Sequence, residues 1–395
     1  MAAKDIFIIG AKRTPFGKFG GSLKDITATK LQTITNTAVL KSAGIKPDDV
    51  DHIVIGNVIP SSQCAPYLAR HSGLYAKIPE TVPALTINRL CGSGFQSAIC
   101  GATQIMTGDS EVVLTGGVEN MSQIPFAVRD TRFGTTLGKN YGLEDVLWST
   151  MVDRYCELPM AITAEKLGAK YGLTREDVDK FALRSQQHFA SAVKNGYFKN
   201  EITSVSIKGR KGETSFISDE HPRETTLEIL SKLPPVFKKD GLVTAGNASG
   251  ICDGAASVLL ASEKAVKRMN CKPLARIVGW GIAGVNPSIM GIGPVPAIKQ
   301  VLKKSGLNMG DIDLIEVNEA FAAQALSVQN ELEIDDEKFN VNGGAIAVGH
   351  PLGASGSRIL THLVYEMQRR NVRYSIGSAC IGGGQGIAVL LENVV

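Results

Sequence analysis

Leu40-Lys-Ser-Ala-Gly-Ile-Lys-Pro-Asp-Asp-Val-Asp51 runs into His52-Ile-Val-Ile55, and Leu302-Lys-Lys-Ser-Gly-Leu-Asn-Met-Gly-Asp-Ile-Asp313 runs into Leu314-Ile-Glu-Val317. The two stretches lie 262 residues apart, which sets Gly44 against Gly306, Asp49 against Asp311 and Asp51 against Asp313. Each reads as a helix stopped by glycine, a turn, and then a buried strand. The same offset carries Cys91-Gly-Ser-Gly94 onto Gly353-Ala-Ser-Gly356. One offset shared by two separated matches implies two duplicated α/β halves. The competing reading is a pair of unrelated helix–strand units with common turn chemistry.

Outward from these stretches, short β-branched runs at 6–9, 52–55, 112–115, 257–260, 314–317 and 386–391 alternate with segments of helix length, the pattern of an α/β protein. Residues 120–243 break the pattern. They are more polar, carry Lys208-Gly-Arg-Lys-Gly212 and Pro234-Pro235, and open one helix with the capping box Thr174-Arg-Glu-Asp177. The expected organisation is a first half over 1–119 and 244–271, an inserted, partly helical loop domain on that half over 120–243, and a second half over 272–395.

Composition narrows the function. Of 395 residues 42 are glycine, well above the usual ~7%. A net charge of +4, with acids and bases alternating, argues against a nucleic-acid partner. No apolar run reaches the length of a membrane span. Seven cysteines without a CxxC pair suit free thiols in a reducing compartment and match no zinc site, so no metal is expected. Between Met1 and the strand opening at Asp5 there is no secretory or transit segment, and Val395 ends no peroxisomal tripeptide. The cytosol and an organelle reached by an internal signal fit equally.

Four motifs carry chemistry. Cys91 stands in Asn88-Arg-Leu-Cys-Gly-Ser-Gly-Phe95 before a run of small helical residues. A helix N-terminus there is expected to lower the thiol pKa and make a nucleophile; a buried inert cysteine is the alternative. His350, in Asn342-Gly-Gly-Ala-Ile-Ala-Val-Gly-His-Pro-Leu-Gly353, lies in the loop that the offset places opposite Cys91 and can take a thiol proton. Cys380 precedes Ile381-Gly-Gly-Gly-Gln-Gly386, whose unhindered amides can hold an oxyanion. Asn318-Glu-Ala-Phe321 ends an apolar strand, where α/β sheets place functional groups. Gly279-Trp-Gly-Ile-Ala-Gly284 spells a dinucleotide fingerprint, but Val285-Asn-Pro-Ser288 follows it where a helix is required.

Together with Gly117-Val-Glu-Asn-Met-Ser122, these motifs resemble the thiolase family over nearly the whole chain. The resemblance implies a five-layered α-β-α-β-α fold and a ping-pong acyl transfer. Cys91 is the acylated nucleophile, His350 its base, and Cys380 the proton donor and acceptor. His350 with a water held by Asn318 forms one oxyanion hole, and the N–H groups of Cys91 and Gly382 form the other. It further implies CoA contacts from Arg223, Thr225 (or Thr226) and Ser249. Coenzyme A is then a substrate, acyl-CoA the other ligand, and no cofactor is called for. Gln385 fits the branch that cleaves 3-ketoacyl-CoA in fatty acid β-oxidation. The alternatives are condensation of two acetyl-CoA and a non-catalytic acyl-CoA or lipid carrier. The branch implies a homodimer or homotetramer in the mitochondrial matrix, with the cytoplasm as the alternative.

Overall fold

The computed structural model describes residues 5–209 and 212–394. The chain ends read for targeting signals lie beyond these, as do Arg210 and Lys211 of the basic stretch.

The first half opens with strand β1 (Ile6–Arg13), helix α1 (Ala28–Ala43) and strand β2 (His52–Gly56). Strand β3 (Ala84–Ile87), helix α2 (Ser93–Thr107) and strand β4 (Val112–Asn120) follow. Residues 120–243 contribute α3 (Met160–Lys170) and α4 (Arg175–Lys194), and β5 (Cys252–Ser262) returns to the first half. The second half comprises β6 (Ala275–Gly284), α5 (Pro294–Ser305), β7 (Leu314–Val317), α6 (Ala322–Leu332), α7 (Ser355–Arg370), β8 (Tyr374–Ile381) and β9 (Gln385–Asn393). All six apolar runs read from the sequence lie within strands. The dinucleotide-like glycines fall inside β6, with no helix opening from them.

The duplication extends to single hydrogen bonds. Gly44 ends α1 and Gly306 ends α5, both left-handed, at φ 67° and 74°. Any side chain is strained at that backbone angle, so glycine stops both helices. Asp51 accepts the amides of Glu111 and Val112, each at 2.8 Å, and thereby pins the start of β4. Asp313 does the same for Arg373 and Tyr374 at the start of β8, each at 2.9 Å.

Nine strands form one sheet in the order β7-β8-β9-β6-β1-β5-β4-β2-β3, with the short strand Gly17–Lys18 added to β5. The halves join where β1 and β6 pair antiparallel, Phe7 with Arg276 and Ile8 with Ala275. The sheet folds around α2 and α7, which pack on each other. At their crossing a Cβ on Gly94 would stand 2.4 Å from the Ser357 amide nitrogen, and one on Gly356 would stand 2.4 Å from that of Phe95. This reciprocal contact marks the pseudo-twofold axis between the halves. Helix α1 covers the far face of the first half-sheet and α5 that of the second, and α6 packs into the same outer core as α5. The layers are therefore α-β-α-β-α. Phe95, Ile359 and Val389 fill the central core; Leu31, Ile55 and Leu259 fill one outer core, and Ile298, Val317 and Leu390 the other.

The Thr174–Asp177 capping box opens α4 as its sequence requires. The inserted segment is not confined to the first half, however. Helix α3 packs on α6, and α4 packs on α6 and on Ala345–Val348 of the second half. It is also tied to β1, because Arg13, fully buried, pairs with Glu201 and Asp219. The insertion thus spans both halves beside the loops that carry Cys91 and His350.

Candidate active site

Cys91 ends a tight loop. The Leu90 amide bonds to Asn88 Oδ1 at 2.8 Å, and the Arg89 amide to Ser93 Oγ at 2.8 Å. Leu90 is held left-handed at φ 46°, which costs a non-glycine residue about 1–2 kcal/mol. Such local strain belongs where geometry matters more than stability. Gly92 takes the N-cap position of α2, so Cys91 stands one residue outside the helix.

The thiol lines a cavity of about 220 Å³ together with His350, Gly382, Ser249, Leu90 and Phe321. Four methionines, Met121, Met151, Met160 and Met290, share its walls. Trp148 and Phe237 stack at 6.1 Å between centroids and also line it. Such a lining is apolar and adaptable, as a flexible acyl chain requires.

Electrostatics correct one expectation. Enclosure pushes the Cys91 thiol up to about 11 instead of down. The amide N–H groups of Gly382 and of Cys91 itself point at the sulfur and pull the other way, while Glu119 adds to the rise. Desolvation wins because the sulfur lies outside the helix N-terminus, in apolar surroundings. Iodoacetamide reacts with the thiolate. Its rate at Cys91, followed by mass spectrometry of the labelled peptide, is therefore expected to rise roughly tenfold per pH unit across pH 6–10. A rate already level above pH 7 would indicate a preformed thiolate–imidazolium pair.

His350 is buried, and enclosure first, then the Arg358 charge, pull it down to about 3. It is neutral at neutral pH and able to accept a proton. Its tautomer follows from its neighbours. Ser355 Oγ, in the first turn of α7, lies 2.6 Å from Nδ1 and donates to the Pro351 carbonyl at 3.1 Å. Nδ1–H therefore donates to Ser355, which leaves the lone pair on Nε2. Asn318 Nδ2 stands 3.3 Å from Nε2, and Asn318 Oδ1 is buried without a protein partner among the described residues.

Cys380, the penultimate residue of β8, lies directly behind the cavity wall, fully buried among Met290 and Ala320 with Met160 and Phe321 beside it. Burial first, and then the nearby Cys91, raise its pKa strongly. Gly382 starts the turn to β9, in which Gly383 and Gly384 take φ 77° and 79°. This explains the glycine run and presents the Gly382 amide to Cys91.

Of the residues expected at the CoA end, Ser249 lines the cavity, and its amide bonds to the Ala320 carbonyl at 3.0 Å. Arg223 is exposed and donates to the Ala245 carbonyl at 3.3 Å, on the segment that leads to Ser249. Thr225 is part-buried, and neither it nor Arg223 lines the cavity. The cap of the helix Leu227–Ser231 is Thr226, so Thr225 is not needed there.

Sequence reading missed Ser355 and Glu119. Glu119 is fully buried and accepts from the amides of Val58, Ile59 and Gly353 and from Asn57 Nδ2, at 2.9–3.1 Å. Burial raises its pKa to about 7 against those donors. It ties the loop after His350 to the first half.

A thiol with two amide donors at its sulfur, sharing a cavity with a neutral imidazole whose tautomer is fixed, has the groups that acyl transfer through a thioester requires. Comparison with known proteins agrees. The N-terminal domain model of thiolase matches residues 6–264 and the C-terminal domain model matches 271–393, so the chain belongs to the thiolase family. It is 58% identical over 391 residues to the bovine (Bos taurus) protein named 3-ketoacyl-CoA thiolase, mitochondrial, covering 99% of this chain and 98% of that one. The crystal structure of human mitochondrial 3-ketoacyl-CoA thiolase superposes with a TM-score of 0.98 at 57% identity, over 99% of both chains. The same human protein in complex with CoA gives 0.97 at 56%, over 99% of this chain and 98% of that one.

Proposed function

We propose that the protein cleaves 3-ketoacyl-CoA with CoA to acetyl-CoA and an acyl-CoA two carbons shorter, as a step of fatty acid β-oxidation in the mitochondrial matrix. The observation that carries this reading is one cavity wall holding the Cys91 thiol, the Gly382 amide and neutral His350, with Cys380 immediately behind it. The names of the bovine and human relatives and the human complex with CoA support it.

The steps follow from the protonation states. Cys91 passes its proton to His350 Nε2 as its sulfur attacks the 3-keto carbon. The bond between carbons 2 and 3 breaks, and its electron pair goes to the acetyl-CoA enolate. Cys380, still a thiol because burial raises its pKa, gives its proton to carbon 2. Acetyl-CoA leaves and the acyl group stays on Cys91. The Cys380 thiolate, strongly basic for the same reason, takes the proton of an incoming CoA thiol. That thiolate attacks the acyl carbonyl, and the Cys91 sulfur departs and regains its proton from His350. The amides of Cys91 and Gly382 stabilise the oxyanion on the Cys91-bound acyl group; His350 and Asn318 serve the enolate oxygen. CoA enters as a substrate, with Ser249, Arg223 and Thr225 along its path, and no step needs a metal or another cofactor.

The direct test mixes the enzyme with 3-ketoacyl-CoA substrates of increasing chain length and CoA, and measures acetyl-CoA. Thiolysis across several chain lengths is expected. Folded protein that releases no acetyl-CoA from any of them would sink the reading, and activity confined to acetoacetyl-CoA would redirect it to condensation. The exposed apolar side chains Phe126, Phe133, Leu137 and Leu143 suit a face covered in a homodimer or homotetramer.

A further inference from the structure

Gly382, which presents one of the two amides at the Cys91 sulfur, lies in a turn of three glycines, a segment with no side chain of its own to anchor it. The strand ladder below it stops at the pair Ile381–Gln385. The Cys91 loop belongs to the other half of the molecule, so the spacing between its amide and that of Gly382 depends on what fastens loop to hairpin. Two contacts do so. Gly92 leaves room for Ile381, whose Cδ1 would stand 2.5 Å from a Cβ there. Arg89, two residues before Cys91, donates from Nη1 to Gln385 Oε1 at 2.8 Å, across 296 residues of sequence.

We infer that Arg89 and Gln385 form a clasp that sets the distance between the two amide donors of the acyl oxyanion hole, which makes both of them positioning residues for the proposed thiolysis. Arg89 is itself fixed from the Cys91 side, because its amide bonds to Ser93 Oγ at 2.8 Å at the start of α2. Gln385 is fixed from the hairpin side as the first residue of β9, paired with Gly284 of β6 as well as with Ile381 of β8. Each partner is therefore tied to a rigid element, Arg89 to the start of α2 and Gln385 to the sheet, and the hydrogen bond couples them one residue pair below the glycine tip. The Gly382 amide gains its value only when charge develops on the acyl oxygen. Loosening the clasp should therefore slow the chemical step and leave substrate affinity almost unchanged. Because one oxyanion hole serves both acylation and deacylation, both half-reactions should slow together.

The test compares Arg89→Met, Gln385→Leu, the double variant, Gln385→Asn and Gln385→Glu, using full-length protein with 3-ketooctanoyl-CoA and CoA. Removing one oxyanion donor costs about 10²–10³ in kcat, so displacing one is expected to cost roughly tenfold. Both single variants should lose about that much kcat with KM within twofold, and the double variant should fall no further than the worse single. Gln385→Glu keeps an acceptor and should stay within threefold of wild type. Gln385→Asn withdraws the acceptor with little change of polarity and provides the same reading should a larger change impair folding. With active wild type, three results would each overturn the clasp: unchanged kcat in the single variants, a rise in KM alone, or losses that multiply in the double variant. Inactive wild type would overturn the thiolysis reading, and the clasp with it.

Discussion

Cys91→Ser is expected to lower kcat for thiolysis by about 10³-fold or more, and to abolish the mass increase of the acylated protein after mixing with 3-ketoacyl-CoA in the absence of CoA. The hydroxyl keeps nearly the volume of the thiol, so Leu90, Gly92 and their hydrogen bonds are undisturbed. What changes is the nucleophile. A neutral imidazole can move a thiol proton as the sulfur attacks, but a hydroxyl is far less acidic, and enclosure raises the cost of charging either atom. The amides of Gly382 and Cys91 remain in place, so substrate affinity is expected to hold while the chemical step fails. Turnover within tenfold of wild type, in protein with an unchanged melting midpoint, would show that acyl transfer does not pass through Cys91.

The loops of the candidate site are legible in the sequence because each lies among glycines. A chain that must turn sharply and bring amide N–H groups to a ligand uses glycine for it, and Cys91, His350 and Gly382 all stand in such stretches. The duplication was legible for a related reason. Gly44 and Gly306 obey one backbone rule, and Asp51 and Asp313 fasten equivalent strand starts, so the 262-residue offset is a repeated set of local constraints.

What remained illegible depends on distance and enclosure. The thiol pKa was read from the helix alone, and burial, which no local motif encodes, reversed its sign. The amphipathic face of α3 shows that it packs but not on which half. Ser355 carried a usable signal, since a hydroxyl five residues after His350 at the start of a helix can reach back to the ring. Glu119 stands in the motif Gly117–Ser122, but nothing local marks its role, because three of its four donors are main-chain amides from both halves. The link between Arg89 and Gln385 has the same character: both residues look like ordinary polar flanks until the fold brings them together.

The second large effect is expected at Cys380. Cys380→Ser should lower thiolysis by about 10²–10⁴-fold, the usual worth of a positioned general acid or base. The decisive readout is a different reaction. Acetyl-CoA incubated with enzyme in deuterated water should exchange its carbon-2 protons only if a base behind the cavity removes them. In wild type a first acetyl-CoA acylates Cys91 and its CoA leaves with the Cys380 proton; the Cys380 thiolate so formed, made strongly basic by burial and by the Cys91 sulfur nearby, suits that task on a second acetyl-CoA. A serine there would need an alkoxide in the same apolar pocket beside Met290 and Ala320, so exchange should vanish in the variant. Acyl exchange between an unsubstituted acyl-CoA and Cys91 forms no carbanion at carbon 2 and asks Cys380 only for the proton of the CoA thiol, which ionises far more readily than a carbon acid, so it should suffer less than thiolysis. That split separates a proton-transfer role from mere support of the cavity, since a collapsed pocket would depress both reactions alike. Wild-type deuterium exchange in Cys380→Ser would refute the assignment and leave Cys91 and His350 as the groups to test for that proton.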